Sequence, residues 1–448
     1  MEPLPELARL IFTEALADCS IERSMDRALG LRVDAVTHLT VSGEDIATLD
    51  RLKRLRIVAA GKGAAAMIGA LLPRLPLPPL CDLQGVLIAP VRPESLPASV
   101  QFFPGGHPVP NHASFAGATA ALSMLRALGD ASEEDTLCVF LVSGGASSMM
   151  ELPLDPAISL EDTVALHQAL VGSGASIVEM NCVRKHFSAV KGGRLAAAAG
   201  AAAKLSLLVS DVPPTHLDAL GSGPTLPDPT TVAQCREVLA NHSLVDRLPE
   251  SVCQFFASPH LAETHKPGQL VSPAYKLLDA GDLAEAARTR AADLGFSAFI
   301  DNTCDEWDYA AAADYLLDRL RQLRRQHPRV CLISVGEVTV RLPAPNPAAA
   351  AVGGRNQHLA LYLATHLRPS DGPIAVLSAG SDGIDGNSSA AGAVVDQRTL
   401  DGRLVDAQSA LQGFNSFSFL NALDAPVVTG PTGHNLRDLR ILLADAGH

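Results

Sequence analysis

Aromatic side chains are scarce in this 448-residue chain, 4% of the total with a single tryptophan. The 47% of residues that are apolar are mainly Ala, Leu and Val, enough for large cores without aromatic pillars. Basic residues are outnumbered, 35 Lys and Arg against 48 Asp and Glu, for a formal net charge of −13. That balance argues against a general nucleic-acid surface and against adhesion to an anionic membrane. Any anionic ligand must then be held by a local basic cluster. Cysteine pairs are lacking too: eight cysteines are scattered with no C-x-x-C, and several fall inside apolar runs, which reads as reduced, buried thiols rather than a disulfide framework. No apolar run reaches the ~20 residues needed to span a bilayer. Met1–Leu10 carries acids and prolines in place of a basic-then-apolar targeting pattern. The expectation is a soluble, cytoplasmic protein. The G-x-x-x-x-G-K-[ST] loop is also missing, which excludes a standard P-loop nucleotide site.

What is present is a series of apolar runs that break at glycines. Leu137 to Met150 reads L-C-V-F-L-V-S-G-G-A-S-S-M-M. An unalternating apolar run is the mark of a strand buried on both faces, as in a parallel sheet. A loop that leaves such a strand and opens a helix exposes backbone N–H groups to an anion, and Ser143, Gly144, Gly145 and Ser147 are candidates for phosphate or substrate contact. An ordinary strand-to-helix turn would look the same. Arg56–Ala60 followed by Gly61-Lys62-Gly63 repeats the pattern and loosely matches G-x-G-x-x-A. A lysine between the glycines suits a cationic role on a phosphoryl group better than a pyrophosphate cradle; an exposed surface lysine is the plain alternative. Gly105-Gly106-His107-Pro108-Val109-Pro110 is a rigid loop that can present His107, although a lone histidine is more often structural.

Asn181–Leu195, N-C-V-R-K-H-F-S-A-V-K-G-G-R-L, carries Arg184, Lys185, His186, Lys191 and Arg194 with no acid between them. In so acidic a chain this favours an anion-facing cluster (Arg184, Lys191, Arg194) over a solvated helix face. Carboxylates that follow expected strands, Asp211 after 204–209, Glu337 after 330–335 and Asp382 after 374–377, are the candidate Mg²⁺ ligands. Asp211 and Asp382 could equally cap turns. Further helices are expected at 5–30, 116–128, 283–294, 309–325 and 359–367, and further strands at 85–89, 100–103 and 296–300. Prolines at 257–274 suggest a linker, and 343–350 reads as a Pro/Ala loop before Gly353-Gly354-Arg355-Asn356-Gln357.

Taken together, A-G-K-G-A, G-G-H-P-V-P, V-S-G-G, V-R-K-H-F-S-A-V-K-G-G-R-L-A, S-D-V-P with G-S-G-P-T, G-G-R-N-Q, S-A-G-S-D-G-I-D-G and G-P-T-G span residues 59–443. The chain resembles class II glycerate 2-kinases, whose C-terminal part is called the MOFRL domain. The resemblance implies phosphorylation of D-glycerate by ATP and Mg²⁺ to 2-phosphoglycerate, by two α/β domains with a cleft between them. Lys62 and Arg355 match the catalytic positions, with Asn356 beside the latter. The expected division is an N-terminal α/β/α domain with a mostly parallel sheet (1–256), a linker (257–274) and a smaller C-terminal α/β domain (275–448). Arg355 is expected to reach across to the reacting phosphates. Asn111, His358, Ser389 and His434 depart from the family motifs and put the acceptor in question. The expected partners are small molecules, D-glycerate and ATP, not nucleic acid or membrane, with room for a homodimer. Two other readings stay open: an NAD(P)H-dependent hydroxypyruvate reductase and a non-catalytic sugar-acid binding protein.

Overall fold

The computed structural model describes residues 2–129, 131–212, 214–342 and 351–445. The Pro/Ala loop expected at 343–350 lies outside them. The chain divides into two compact units, one formed by Ile21–Leu277 and the other by Met1–Ser20 together with Leu278–His448.

The larger unit opens with a small antiparallel sheet, β1 (Leu29–Val33), β2 (Thr37–Val41) and β3 (Glu44–Thr48), where sequence periodicity had suggested one helix to residue 30. Two helices, Leu4–Asp18 and Ile21–Ala28, occupy that region instead. The main sheet contains β4 (Arg54–Ala60), β5 (Asp82–Ala89), β6 (Val100–Pro104), β7 (Thr136–Ser143), β8 (Ala203–Val209) and β9 (Ala274–Leu278), in the order β6-β5-β4-β7-β8-β9. The pairings β6/β5, β5/β4, β4/β7 and β7/β8 are all parallel. All eight residues of β7 are buried, which is why its sequence is apolar without alternation. Val58, Val86, Phe140 and Val142 pack with Ala118, Leu122 and Leu195 from the covering helices in one core. The strand order reverses between β4 and β7, and in open α/β sheets ligands bind at the carboxyl ends of the strands flanking such a switch.

The smaller unit holds β10 (Ser297–Ile300), β11 (Val330–Gly336), β12 (Ile374–Gly380), β13 (Gly392–Asp396), β14 (Pro426–Val427) and β15 (Asp438–Ala444), ordered β10-β11-β15-β12-β13-β14. Only β10/β11 is parallel; β15 runs antiparallel between β11 and β12.

Two expected boundaries are corrected. The first helix belongs with the smaller unit, because its apolar stripe (Leu7, Ile11, Phe12, Ala15) is buried and the helix packs on β12 and β15. Burial of Ile11 and Phe12 contributes about 1.5–3 kcal/mol each, which ties the helix to the sheet that covers it. The segment 257–274 is not a free linker. Its backbone joins the larger unit through Asp228 N–H to His265 O (2.7 Å) and His265 N–H to Gly192 O (3.3 Å), so the division falls at Leu277.

Candidate active site

The two glycine loops flanking the switch point are stitched together. Lys62 N–H donates to Gly144 O (2.9 Å), and Gly63 N–H donates to the Ser143 hydroxyl (2.9 Å). Gly61 has φ +118°, and a Cβ there would lie 2.4 Å from Ser143 O, so only glycine lets the strands' ends come this close. A Cβ on Gly144 would lie 2.1 Å from Asp211 Oδ2, and one on Gly145 would lie 3.0 Å from the His107 ring. The structure thus gathers Lys62, His107, Ser143, Gly144, Gly145 and Asp211 at one end of the sheet. Ser147 stands on the short helix Ala146–Met149 that leaves this loop, half-buried. The Ser143 hydroxyl accepts the Gly63 N–H bond and so helps hold the loops in register. Partial desolvation and the nearby Lys62 cation lower the His107 pKa, so its imidazole is neutral at pH 7.

The basic cluster is largely spent inside the fold, which corrects the expectation for Lys191 and Arg194. Lys191 is fully buried and ion-paired with Glu151, itself fully buried and bonded to His167 Nε2 (3.0 Å). Burial alone would raise Glu151, but Lys191 and His167 bring it down to about 2. Arg194 donates to the carbonyls of Lys185 (2.5 Å), Ser188 (3.2 Å), Ala262 (3.1 Å) and Glu263 (3.3 Å). Lys185 pairs with Asp218 (2.7 Å) and Asp228 (3.2 Å). The stretch looked acid-free because its acids arrive from other segments. Arg184 is the exception: its Nε is buried with no hydrogen-bond partner among the described residues.

In the smaller unit Arg355 opens the helix Arg355–His366. Its guanidinium binds Asp438 (Nε–Oδ2 2.6 Å, Nη2–Oδ1 3.2 Å) and Glu337 (2.8 Å). Burial would lower its pKa, but the two carboxylates hold it above the usual range. Asp385 lies under the same helix opening and accepts from Asn356 N–H (3.1 Å) and Gln357 N–H (2.8 Å). A Cβ on Gly354 would meet Asp385 Oδ1 at 2.2 Å, so the G-G-R-N-Q and S-D-G-I-D-G motifs interlock through glycine. Asn356, expected at the ligand, is buried between Ser378 (2.6 Å) and Asp385 (3.3 Å) and serves the fold.

Among the described residues there is no cluster of three or more His, Cys, Asp or Glu side chains able to hold a metal alone. Glu337 is taken by Arg355, and Asp382 accepts Ile384 N–H (3.2 Å) in an Asx turn, the cap alternative. Asp211, with its carboxylate against the Gly144 backbone, fits a Mg²⁺ that takes one carboxylate, water and phosphate oxygens.

Three of the motif departures have local explanations. Asn111 caps the helix His112–Arg126 through Ser114 N–H (2.8 Å). His358 is buried, stacked on Phe414 and bonded to Ser416 Oγ (3.1 Å), and burial pushes its pKa down to about 4. His434 Nε2 bonds Cys19 O (2.9 Å). Ser389 is exposed. Sequence reasoning missed Asp438, Glu151 and His167. The first lies on a strand that was not assigned, and the other two carry no motif of their own.

Two family models match this chain: "Domain of unknown function (DUF4147)" over residues 7–257 and "MOFRL family" over residues 330–438. A D-glycerate 2-kinase of Thermotoga maritima is 35% identical over 349 residues, 76% of this chain and 79% of its own. A protein of Agrobacterium vitis provisionally named a hydroxypyruvate reductase is 36% identical over 400 residues, 87% of each chain. The crystal structure of a glycerate kinase from Thermotoga maritima superposes with a TM-score of 0.79 at 30% identity, over 98% of this chain and 99% of its own. The chain belongs to the class II glycerate kinase family, and it is a phosphotransferase with an alcohol group as acceptor.

Proposed function

We propose that the protein transfers the γ-phosphoryl group of ATP to the 2-hydroxyl of D-glycerate, giving 2-phosphoglycerate and ADP, with Mg²⁺. The observation that carries this reading is the pair of interlocked glycine loops at the switch point, with Lys62 between two glycines and Asp211 against Gly144. Phosphoryl transfer asks for cations and backbone donors around the migrating group and little covalent chemistry from the protein. Lys62 neutralises charge on the transferring group. His107, neutral at pH 7, takes up the acceptor's hydroxyl proton as the new O–P bond forms. Asp211 would hold Mg²⁺, which supplies charge neutralisation on the phosphates. Within the smaller unit, the forked guanidinium of Arg355 is suited to phosphate oxygens. The names of the glycerate 2-kinase relatives support glycerate as acceptor. Eight cysteines outside any disulfide support a cytoplasmic setting, and among the described residues no helix is long and apolar enough to cross a membrane.

The reductase name borne by some relatives fits the loop less well. β5, next to β4, ends in Ala89-Pro90, whereas a dinucleotide site of this topology needs an acid there for the ribose. The deciding experiment mixes the protein with ATP, Mg²⁺ and a panel of hydroxy acids and follows ADP release, with the product identified by phosphorus NMR. Glycerate-dependent ADP formation is expected. No ADP, with NADH consumed by hydroxypyruvate instead, would overturn the reading.

A further inference from the structure

Two buried donors in the larger unit have no acceptor among the described residues, and they stand one turn apart on the helix Ile177–Phe187. Asn181 is 3% exposed; its Oδ1 accepts from Ser222 Oγ (2.7 Å), and its Nδ2 is unpartnered among the described residues. Arg184, three residues on and so on the same face, leaves Nε shielded and unpartnered. A buried donor left unmade costs about 1–3 kcal/mol, so two neighbours without partners among the described residues mark a place where a ligand can supply acceptors.

The charge around them points the same way. Two cations, Arg184 and Lys191, face one carboxylate, Glu151, and Lys191 takes that carboxylate directly. His167, bonded to the same Glu151 oxygen as Lys191, is kept neutral by burial. Arg184, Lys191 and Glu151 therefore sum to one positive charge in excess. Its position is also fixed. Gly221, adjacent to the Asn181 partner Ser222, packs so close to Ala146 that a Cβ would lie 3.1 Å from the Ala146 Cβ. Ala146 directly follows the Gly144-Gly145 loop. Asn181 is thus linked through Ser222 and Gly221 to the phosphate loop, and Glu151 follows the same loop's helix.

We propose that Asn181 and Arg184 form the acceptor-specificity site, binding the carboxylate of the hydroxy acid beside the loop that handles its phosphoryl donor. This rests on the kinase reading above. A planar guanidinium plus an amide N–H matches a two-oxygen, singly charged anion, and one excess positive charge balances a carboxylate but not a triphosphate.

The test measures KM for glycerate and KM for ATP in the wild type, Arg184→Gln and Asn181→Asp, with glyceramide as the uncharged acceptor. Asn181→Asp keeps size and sets one carboxylate against another. Both variants should raise KM for glycerate about 10- to 100-fold, the scale of one charge-assisted hydrogen bond, and leave KM for ATP within about twofold. The wild-type preference for glycerate over glyceramide should shrink in Arg184→Gln. A rise in KM for ATP alone would assign these donors to the triphosphate and overturn the proposal, as would two unchanged constants. Should the variants fail to fold, the wild type still decides: equal turnover of glycerate and glyceramide rules out a carboxylate site. Absence of any glycerate-dependent turnover would instead overturn the kinase reading itself.

Discussion

Arg355 and Asp438 meet side by side, with Nε 2.6 Å from one carboxylate oxygen and Nη2 3.2 Å from the other. Asp438 is buried on β15 and Arg355 is half-exposed, so the carboxylate fixes one edge of the guanidinium while the rest can serve a ligand. Glu337 holds the remaining edge in this structure and is the contact a phosphate oxygen would replace.

Arg355→Lys keeps the charge and loses the fork. On the proposed role, kcat falls about 10- to 100-fold. Stability should fall by about 1–3 kcal/mol, because Asp438 is buried and lysine keeps its counter-charge but not both of its hydrogen bonds. Steady-state kinetics beside a circular-dichroism melt checks this. Wild-type kcat with a lowered melting temperature would leave Arg355 a purely structural ion pair.

Lys62→Ala is expected to lower kcat about a hundredfold or more, the usual scale for losing a charge-stabilising group at a transferring centre. The backbone bond from residue 62 to Gly144 does not depend on the side chain, so the fold should persist. Turnover at the wild-type rate in a folded variant would remove Lys62 from the mechanism.

Asp211→Asn should raise the Mg²⁺ concentration needed for half-maximal activity at least severalfold, since an amide is a poorer ligand for a hard cation than a carboxylate. Glu337→Gln, removing a partner of Arg355, should not shift that titration. If Glu337→Gln moves the Mg²⁺ midpoint and Asp211→Asn does not, the metal assignment is reversed.

Glu151→Gln removes a buried partner of Lys191 and should destabilise the protein by about 3–5 kcal/mol at pH 7. The sign with pH follows from a folded-state pKa held near 2 against an ordinary value of 4.5. The stabilisation is complete above pH 4.5 and is lost as pH falls toward 2, with about 3 kcal/mol at stake. Denaturant melts should therefore show the gap between wild type and variant narrowing from pH 7 to pH 3. A gap of constant size would mean that Glu151 is not held ionised by its partners.

Much of the architecture is legible in the chain itself. Apolar runs mark β4, β7 and β8, and glycines mark the turns after β4 and β7, because a strand buried on both faces and a backbone turn at positive φ each need particular residues locally. The same local rule ran one helix through residue 30, past the end of the short helix Ile21–Ala28, and left unassigned the half-exposed strands that follow, whose alternation is weak. The first helix carried its apolar stripe openly, but nothing near it says which sheet will cover that stripe.

The motifs determined where the loops are and which residue types they display. Tertiary structure decided which of those side chains remain available. Lys191 looked free because its carboxylate lies 40 residues away, and Arg355 finds Asp438 83 residues on. A charge is neutralised by whatever the fold brings within about 4 Å, and sequence spacing carries no information about that distance. Asn181 showed the converse. An ordinary amide inside a helix became a candidate ligand contact only when Ser222 took its oxygen and left its Nδ2 without an acceptor among the described residues.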